Sequence, residues 1–257
     1  MLKTVATAIA ATTFAIFFTS AMAVSSQPLK LGVEAAYPPF NFTDRDGNLS
    51  GFDIEIGNAL CEKMERSCEW VTQQWAGMVP ALQTGKFDVM VSSMTITPKR
   101  SEQVLFTDPY YFSYAMMAAP AGSGLTLDKE KLAGKTIGLQ AGTNHERWLP
   151  EKYGTGFTIR AYPSTDNMFL DFQNGRLNAI FGDVAIITPW INENGGEEVF
   201  EQVGDDINDP DLGTEIGIAV RKNDTELAAD LNAAIKSIVA DGTFEAIENK
   251  YFDIKLR

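Results

Sequence analysis

"LQTGKFDVMVSS" (residues 82–93) and "FQNGRLNAIFGD" (172–183) are two versions of one pattern. Each ends a helical segment with a glycine, Gly85 or Gly175, and then runs into a short apolar stretch that closes on polar residues. Glycine suits the left-handed turn that stops a helix, and a short apolar run bounded by turn signals reads as a buried strand. A second pair keeps the same order: "KLGVEAA" (30–36) and "TIGLQAG" (136–142), with Gly32 opposite Gly138. Chance likeness of two strand–helix units would explain a single pair. Two pairs in one order point to two equivalent α/β lobes. In open α/β sheets, ligands lie beyond the carboxyl ends of the strands. Those ends are Glu34 and Ser92-Ser93 in the first copy, and Gln140 and Gly182-Asp183 in the second. If the lobes face each other, these polar groups meet in one cleft, whatever the ligand.

The flanking segments fit this plan. "LKLGVEAAY" (29–37) reads as a strand ending in a polar loop. "GFDIEIGNALCEKMERSC" (51–68) reads as a helix, with Phe52, Ile56, Leu60 and Met64 on one face. "MVPALQTG" (78–85) reads as a short helix, and the strand after it is expected over 88–93.

The 257 residues are 45% hydrophobic and 21% charged, which suits one or two soluble domains with substantial cores. The N-terminus reads as an export signal over residues 1–23. Lys3 supplies the positive start, Val5 to Phe18 is mostly apolar or small, and Ala21-Met22-Ala23 fits a cleavage site. A membrane anchor is the competing reading, weakened by the many Thr, Ser and Ala. The formal charge is −13, and loss of Lys3 with the leader deepens it by one. Such a balance argues against a nucleic-acid partner. Cys61 and Cys68 are the only cysteines. In an exported chain this close pair reads as a local disulfide, worth about 2–3 kcal/mol; two free thiols are the alternative. With His145 as the single histidine there is no zinc constellation, so neither a metal nor another cofactor is expected.

The segment "VSSMTITPKR" (91–100) brings hydroxyls, a proline and an arginine together. Thr97 is a plausible N-cap with Pro98 at the first helical position. Ser92 and Ser93 at the strand end, the free N–H groups of a helix start and the Arg100 fork would together form a receptor for a small acid. An ordinary capped helix with a solvated Arg100 explains the segment equally well. Asp183 and Glu34 supply the opposite charge. One anion receptor and two carboxylates in a shared cleft describe a basic amino acid. Tyr37 and Trp75 lie near these groups in sequence, and an aromatic face beside a cation is favourable by about 0.5–2 kcal/mol. For Trp75, plain core packing is the alternative.

Taken together, "LGVEAAYPPFNF…GFDIEIGNALC", "SSMTITPKRSEQVLFTDPYY" and "DGTFEAIENKYF" resemble periplasmic solute-binding proteins of the polar amino-acid type (family 3). The likeness spans about residues 28–254 and is greatest to the lysine/arginine/ornithine-, histidine- and opine-binding members. Cys61 and Cys68 match a disulfide of that family in place and spacing. The resemblance implies a type II fold, with two hinge-linked α/β lobes about a central cleft. Lobe 1 would comprise 24–114 and 210–257, and lobe 2 115–209, with crossings near 112–117 and 207–214. It implies that Arg100 clamps the ligand carboxylate, assisted by Ser93, Thr95 and Thr143. Asp183 with Ser93 would hold the α-ammonium. Glu34 would meet a side-chain cation, Tyr37 and Trp75 would enclose the stem, and Ser92 and Asp53 would reach the distal group. Gln140, Asn144 and His145 depart from the family's residues; an opine, which carries a second carboxylate, would use such donors.

The function this implies is non-enzymatic: a monomer that captures a basic amino acid or its opine in the periplasm and delivers it to an inner-membrane ABC permease. Two other classes share the cleft. A cyclohexadienyl-type dehydratase would use Asp183 or Glu34 as a general acid. A sensor would present the same ligand to a membrane receptor. Nucleophilic hydrolysis fits poorly, since no Gly-x-Ser-x-Gly accompanies His145.

Overall fold

The computed structural model describes residues 27–257; the expected leader, 1–23, lies outside them. Two sheets carry the α/β architecture expected from the duplicated pattern. In the first, Leu29–Val33 sits between Cys68–Thr72 and Val89–Thr95, all parallel. In the second, Thr136–Gln140 sits between Thr158–Tyr162 and Ala179–Asp183, also parallel. The strand order is therefore the same in both copies. Each sheet is extended on the same side by an antiparallel strand: Glu215–Val220 in the first and Ala115–Pro120 in the second.

Those antiparallel strands are where the chain changes sheets. Tyr111–Phe112 pairs with Glu215–Val220 in the first sheet, and after two intervening residues Ala115 begins a strand of the second. The return runs from Phe200–Gln202 to Glu215. The outward and return segments are bonded to each other: the Ser113 N–H donates to the Thr214 carbonyl, and Ala115 pairs with Ile207. The lobes are thus joined by two short, mutually bonded crossings.

Local chemistry explains the elements. Helix Phe52–Lys63 buries Phe52, Ile56 and Leu60 against the first sheet. It starts at Gly51, whose φ of 118° and 2.4 Å gap from an added Cβ to the Phe40 carbonyl oxygen leave room only for glycine. The Cys61–Cys68 disulfide is present and ties the end of this helix to the next strand. Helix Met78–Gln83 stops at Gly85, where the Lys86 N–H reaches the Ala81 carbonyl and the Gly85 N–H the Leu82 carbonyl, closing the turn.

The strand expected over 88–93 runs instead from Val89 to Thr95, and all seven of its residues are buried. Its register with Glu215–Val220 shifts between Gly217 and Ala219, opposite Val91–Ser93, and Ser93 takes a φ of 52°. This is a bulge, which re-aims side chains without ending the strand. The serines therefore reach the cleft from a kink in the strand, not from its end.

The paired glycines recur in space as well as in sequence. A Cβ at Gly32 would lie 2.5 Å from the ring of Phe87; one at Gly138 would lie 2.5 Å from the Leu177 Cδ1 methyl. Phe87 and Leu177 are themselves equivalent in the two copies, so each first strand packs against its lobe in the same way. A fully buried ring yields less readily than a terminal methyl. Gly32→Ala is therefore expected to lower the unfolding free energy by about 1–3 kcal/mol, and Gly138→Ala by less. Denaturant unfolding of both variants checks this, and an equal or larger loss at Gly138 would contradict it.

Candidate ligand cleft

Between the lobes lies a narrow cavity. Every candidate residue read from the sequence lines it except Asp53. The first lobe contributes the loop after Leu29–Val33, the bulged strand and the segment around Trp75. The second contributes the ends of Thr136–Gln140 and Ala179–Asp183 and the start of helix Asn144–Tyr153.

Glu34 and Gln140 end equivalent strands and meet across the cleft, the Gln140 amide donating to the Glu34 carboxylate. The Ser92 hydroxyl accepts from the Glu34 N–H at 3.0 Å, fixing the backbone of that corner. No cation of the protein sits beside Glu34 among the described residues. Burial lifts its carboxyl to about 8; Asp166 adds to the rise and Gln140 opposes it. The sequence reading takes Glu34 as ionised, whereas with protein groups alone it holds its proton at neutral pH.

Asp183 is more polar in its surroundings. It accepts from the Tyr37 hydroxyl across the cleft, and its Oδ1 lies 3.6 Å from His145 Nε2. Burial holds the His145 imidazole below its usual range, with Asp183 opposing the fall and Arg100 adding to it, so it is neutral at pH 7. Its ring packs edge-on against Phe181 at 5.1 Å. The phenol of Tyr37 is pushed well above its ordinary value, first by burial and then by Asp183, and stays a donor.

Arg100 is the cation of the same cavity wall. Thr97 caps Pro98–Ser101 as expected, its hydroxyl accepting the Arg100 N–H at 3.3 Å. That helix is one turn long, so few peptide dipoles add up at its start and the positive field comes from the guanidinium itself. Arg100 donates to the Thr95 carbonyl at 3.0 Å and lies 5.3 Å above the Trp75 indole. Burial lowers its pKa to about 10, opposed by Asp183, and it remains charged at neutral pH. Trp75, 9% exposed, combines both roles weighed from the sequence: it packs in the first-lobe core, and it lines the cavity. Its indole N–H also donates to the Gly142 carbonyl of the opposite lobe at 3.2 Å.

One sequence reading needs correction, and two cavity residues make protein contacts that the sequence did not anticipate. Asp53 is fully buried beneath the cavity wall, where it accepts from Asn41, Ser93 and Tyr110, so it does not reach the distal end of the cleft. The Asn144 amide turns away to the Leu212 carbonyl, 2.6 Å distant on the return crossing. Thr143 caps its helix and donates to the Gln140 carbonyl at 2.8 Å, which shapes the loop. Residues the sequence did not single out include Thr165, which donates to the Ala36 carbonyl across the lobes at 3.1 Å, and Gly142. A Cβ at Gly142 would come within 3.2 Å of Ala76, so glycine permits the close approach of the lobes there. Its place opposite Ala36 in the duplicated pattern was the available signal.

The arrangement offers one forked cation, one ionisable acid beside neutral donors, and one acid held neutral by burial. It matches what comparison with known proteins finds. Residues 29–254 match the model of bacterial extracellular solute-binding proteins, family 3. The chain is 39% identical over 230 residues to the L-arginine-binding protein of Pseudomonas aeruginosa, covering 89% of each. It is 36% identical over 234 residues to ABC transporter arginine-binding protein 1 of Escherichia coli, covering 90% of this chain and 93% of that one. Among solved structures, an arginine-specific periplasmic binding protein of Salmonella typhimurium superposes with a TM-score of 0.81 at 36% identity, covering 88% of this chain and 100% of that one. With the fold, the facing strand ends and the family match in agreement, the chain belongs to the bacterial extracellular solute-binding proteins, family 3.

Proposed function

We propose that this protein captures a basic amino acid of the arginine class in the periplasm and presents it to an inner-membrane ABC permease. The observation that carries the reading is the set of charges on one cavity wall, where Arg100 stands with the acids Glu34 and Asp183. Its complement is a molecule with one carboxylate and two cationic groups. Arg100 takes the carboxylate, Asp183 the α-ammonium, and Glu34 the side-chain cation, with Tyr37 and Trp75 along the stem. The relatives' names as arginine-binding proteins support this assignment. Of the three donors that an opine's second carboxylate would use, Gln140 donates to Glu34, Asn144 to Leu212, and His145 faces Asp183, so each already has a protein partner, which supports a free amino acid as the ligand.

The same reading places the leader at 1–23, lobe 1 at 24–114 and 210–257, and lobe 2 at 115–209, and has the protein act as a monomer. It also makes the protein a carrier, not a catalyst. The dehydratase alternative has one point in its favour: a carboxyl held protonated near neutrality, as Glu34 is, is what a general acid requires. Formation of phenylpyruvate from prephenate by the purified protein would establish that alternative.

The ligand is found by a thermal-shift screen of amino acids and opines, where a ligand at a hundredfold its Kd adds about 2.7 kcal/mol of stability. Arg100→Ala is expected to stay folded and to weaken L-arginine by about 2–5 kcal/mol, because the carboxylate loses its forked partner. Calorimetry showing unchanged affinity would remove the carboxylate from Arg100.

Glu34 makes binding depend on pH. Below about 8 its carboxyl is protonated, and a cation bound beside it must drive the proton off. The groups facing it do not reverse this: Tyr37 stays neutral, and Asp166 raises its pKa further. L-Arginine affinity should therefore rise with pH between 6.5 and 8, by up to about tenfold per unit, with proton release on binding. Glu34→Gln should abolish both effects and weaken arginine by about 2–4 kcal/mol while sparing glutamine. Calorimetry in buffers of different ionisation enthalpy reads the proton directly.

A further inference from the structure

Three non-glycine residues take positive φ among the described residues: Glu65, on the turn after a surface helix, and Ala35 and Ser93, at 63° and 52°. The last two are cleft residues or their immediate neighbours. Ala35 follows Glu34, and Ser93 lines the cavity at the bulge. A residue with a Cβ holds this conformation only where its surroundings impose it. Both are held by one buried pair. The Asn41 carbonyl oxygen accepts the Ala35 N–H at 3.0 Å, and its amide donates to Asp53 Oδ2 at 2.8 Å. The Ser93 hydroxyl donates to the same oxygen at 2.7 Å, while Tyr110 donates to Oδ1 at 2.7 Å. Asn41 and Asp53 are both 0% exposed. Asp53 lies in the first turn of helix Phe52–Lys63, where a carboxylate is favoured, and its own N–H is held by the Phe40 carbonyl at 2.7 Å.

The pair thus joins the two strained corners of the first lobe. One corner aims Glu34, the other aims the serines, and the Ser92 hydroxyl on the Glu34 N–H links them directly. Asp53 has no cation beside it among the described residues, and its charge is met by hydroxyl and amide donors alone.

We infer that Asp53, through Asn41 and Ser93, is a positioning residue for the ligand cleft: it holds Ala35 and Ser93 left-handed so that Glu34 and the serine bulge face the ligand. This rests on the basic-amino-acid reading above only for the choice of probe.

The test is a double-mutant cycle read by L-arginine calorimetry, with amide exchange of residues 34–36 and 92–94 measured without ligand. Asp53→Ala should weaken L-arginine by about 10–100-fold and speed exchange in both segments. In a Ser93→Gly background, where residue 93 takes positive φ without a tether, the same change should cost distinctly fewer-fold. Equal losses in both backgrounds would overturn the assignment, as would no loss in either. Asp53→Asn preserves an acceptor for Asn41 and Ser93 while Tyr110 can accept from its amide, so it should keep affinity near the wild type. A loss as large as that of Asp53→Ala would mean that the charge acts on the ligand, which also overturns the positioning role. If Asp53→Ala does not fold, Asn41→Ala serves instead, and it should loosen residues 34–36 alone. If the wild type binds none of arginine, lysine, ornithine or histidine, the ligand reading fails, and the exchange data still decide the positioning role by themselves.

Discussion

Glu34 and Gln140 face each other because each stands at the end of the middle one of three parallel strands in its sheet, and much of the cleft follows from that apposition. Two copies of one strand order, turned toward each other, must bring equivalent strand ends together. The same relation sets Ser93 opposite Asp183 in the pattern. The copies differ in chemistry at these positions: Glu against Gln, Ser against Asp. A symmetric scaffold therefore carries an asymmetric charge layout, which an asymmetric ligand needs. The glycines under each first strand, Gly32 and Gly138, keep the two supports alike while the exposed ends diverge.

Burial then sets what those ends can do. Glu34 and Asp53 are acids deep in protein, and both carboxyls rise, to about 8 and about 6, because desolvation outweighs their hydrogen bonds. They serve differently because of their donors. Asp53 is met by three donors and is part of the framework. Glu34 has only the Gln140 amide on its carboxylate and is left with capacity for another partner. Arg100 stays charged because burial lowers its pKa only to about 10, with Asp183 opposing the fall, while Trp75 stacks beneath it and the Thr95 carbonyl holds it in place.

The lobes touch through few polar contacts near the cleft: Gln140 to Glu34, Tyr37 to Asp183, Trp75 to Gly142 and Thr165 to Ala36. Each lobe has one apolar cluster of its own, a third and larger cluster holds residues of both, and two short crossings join them. Such a design suits hinge closure, in which rigid bodies move about a few backbone positions. The Asn144–Leu212 bond runs from the cleft wall to the return crossing and so connects the cavity to the hinge.

Much of this was legible in the sequence, because it depends on local patterns. Glycine after a helix, apolar runs between turn signals, the Thr97-Pro98 cap and the repetition of all these along the chain specify two α/β units and the polar ends of their strands. The disulfide followed from two close cysteines in a chain whose start reads as an export signal. What the tertiary structure alone decided was direction. Asp53 stands at a helix start, and it points into the wall because Asn41 from the preceding hairpin and Ser93 and Tyr110 from farther along the chain converge on it. Asn144 points to the hinge for a similar reason, with its partner 68 residues away. The bulge at Ser93 arises from pairing with a strand more than a hundred residues later. Sequence patterns report neighbours a turn or two away, whereas side-chain direction and carboxylate protonation depend on what the folded chain brings alongside.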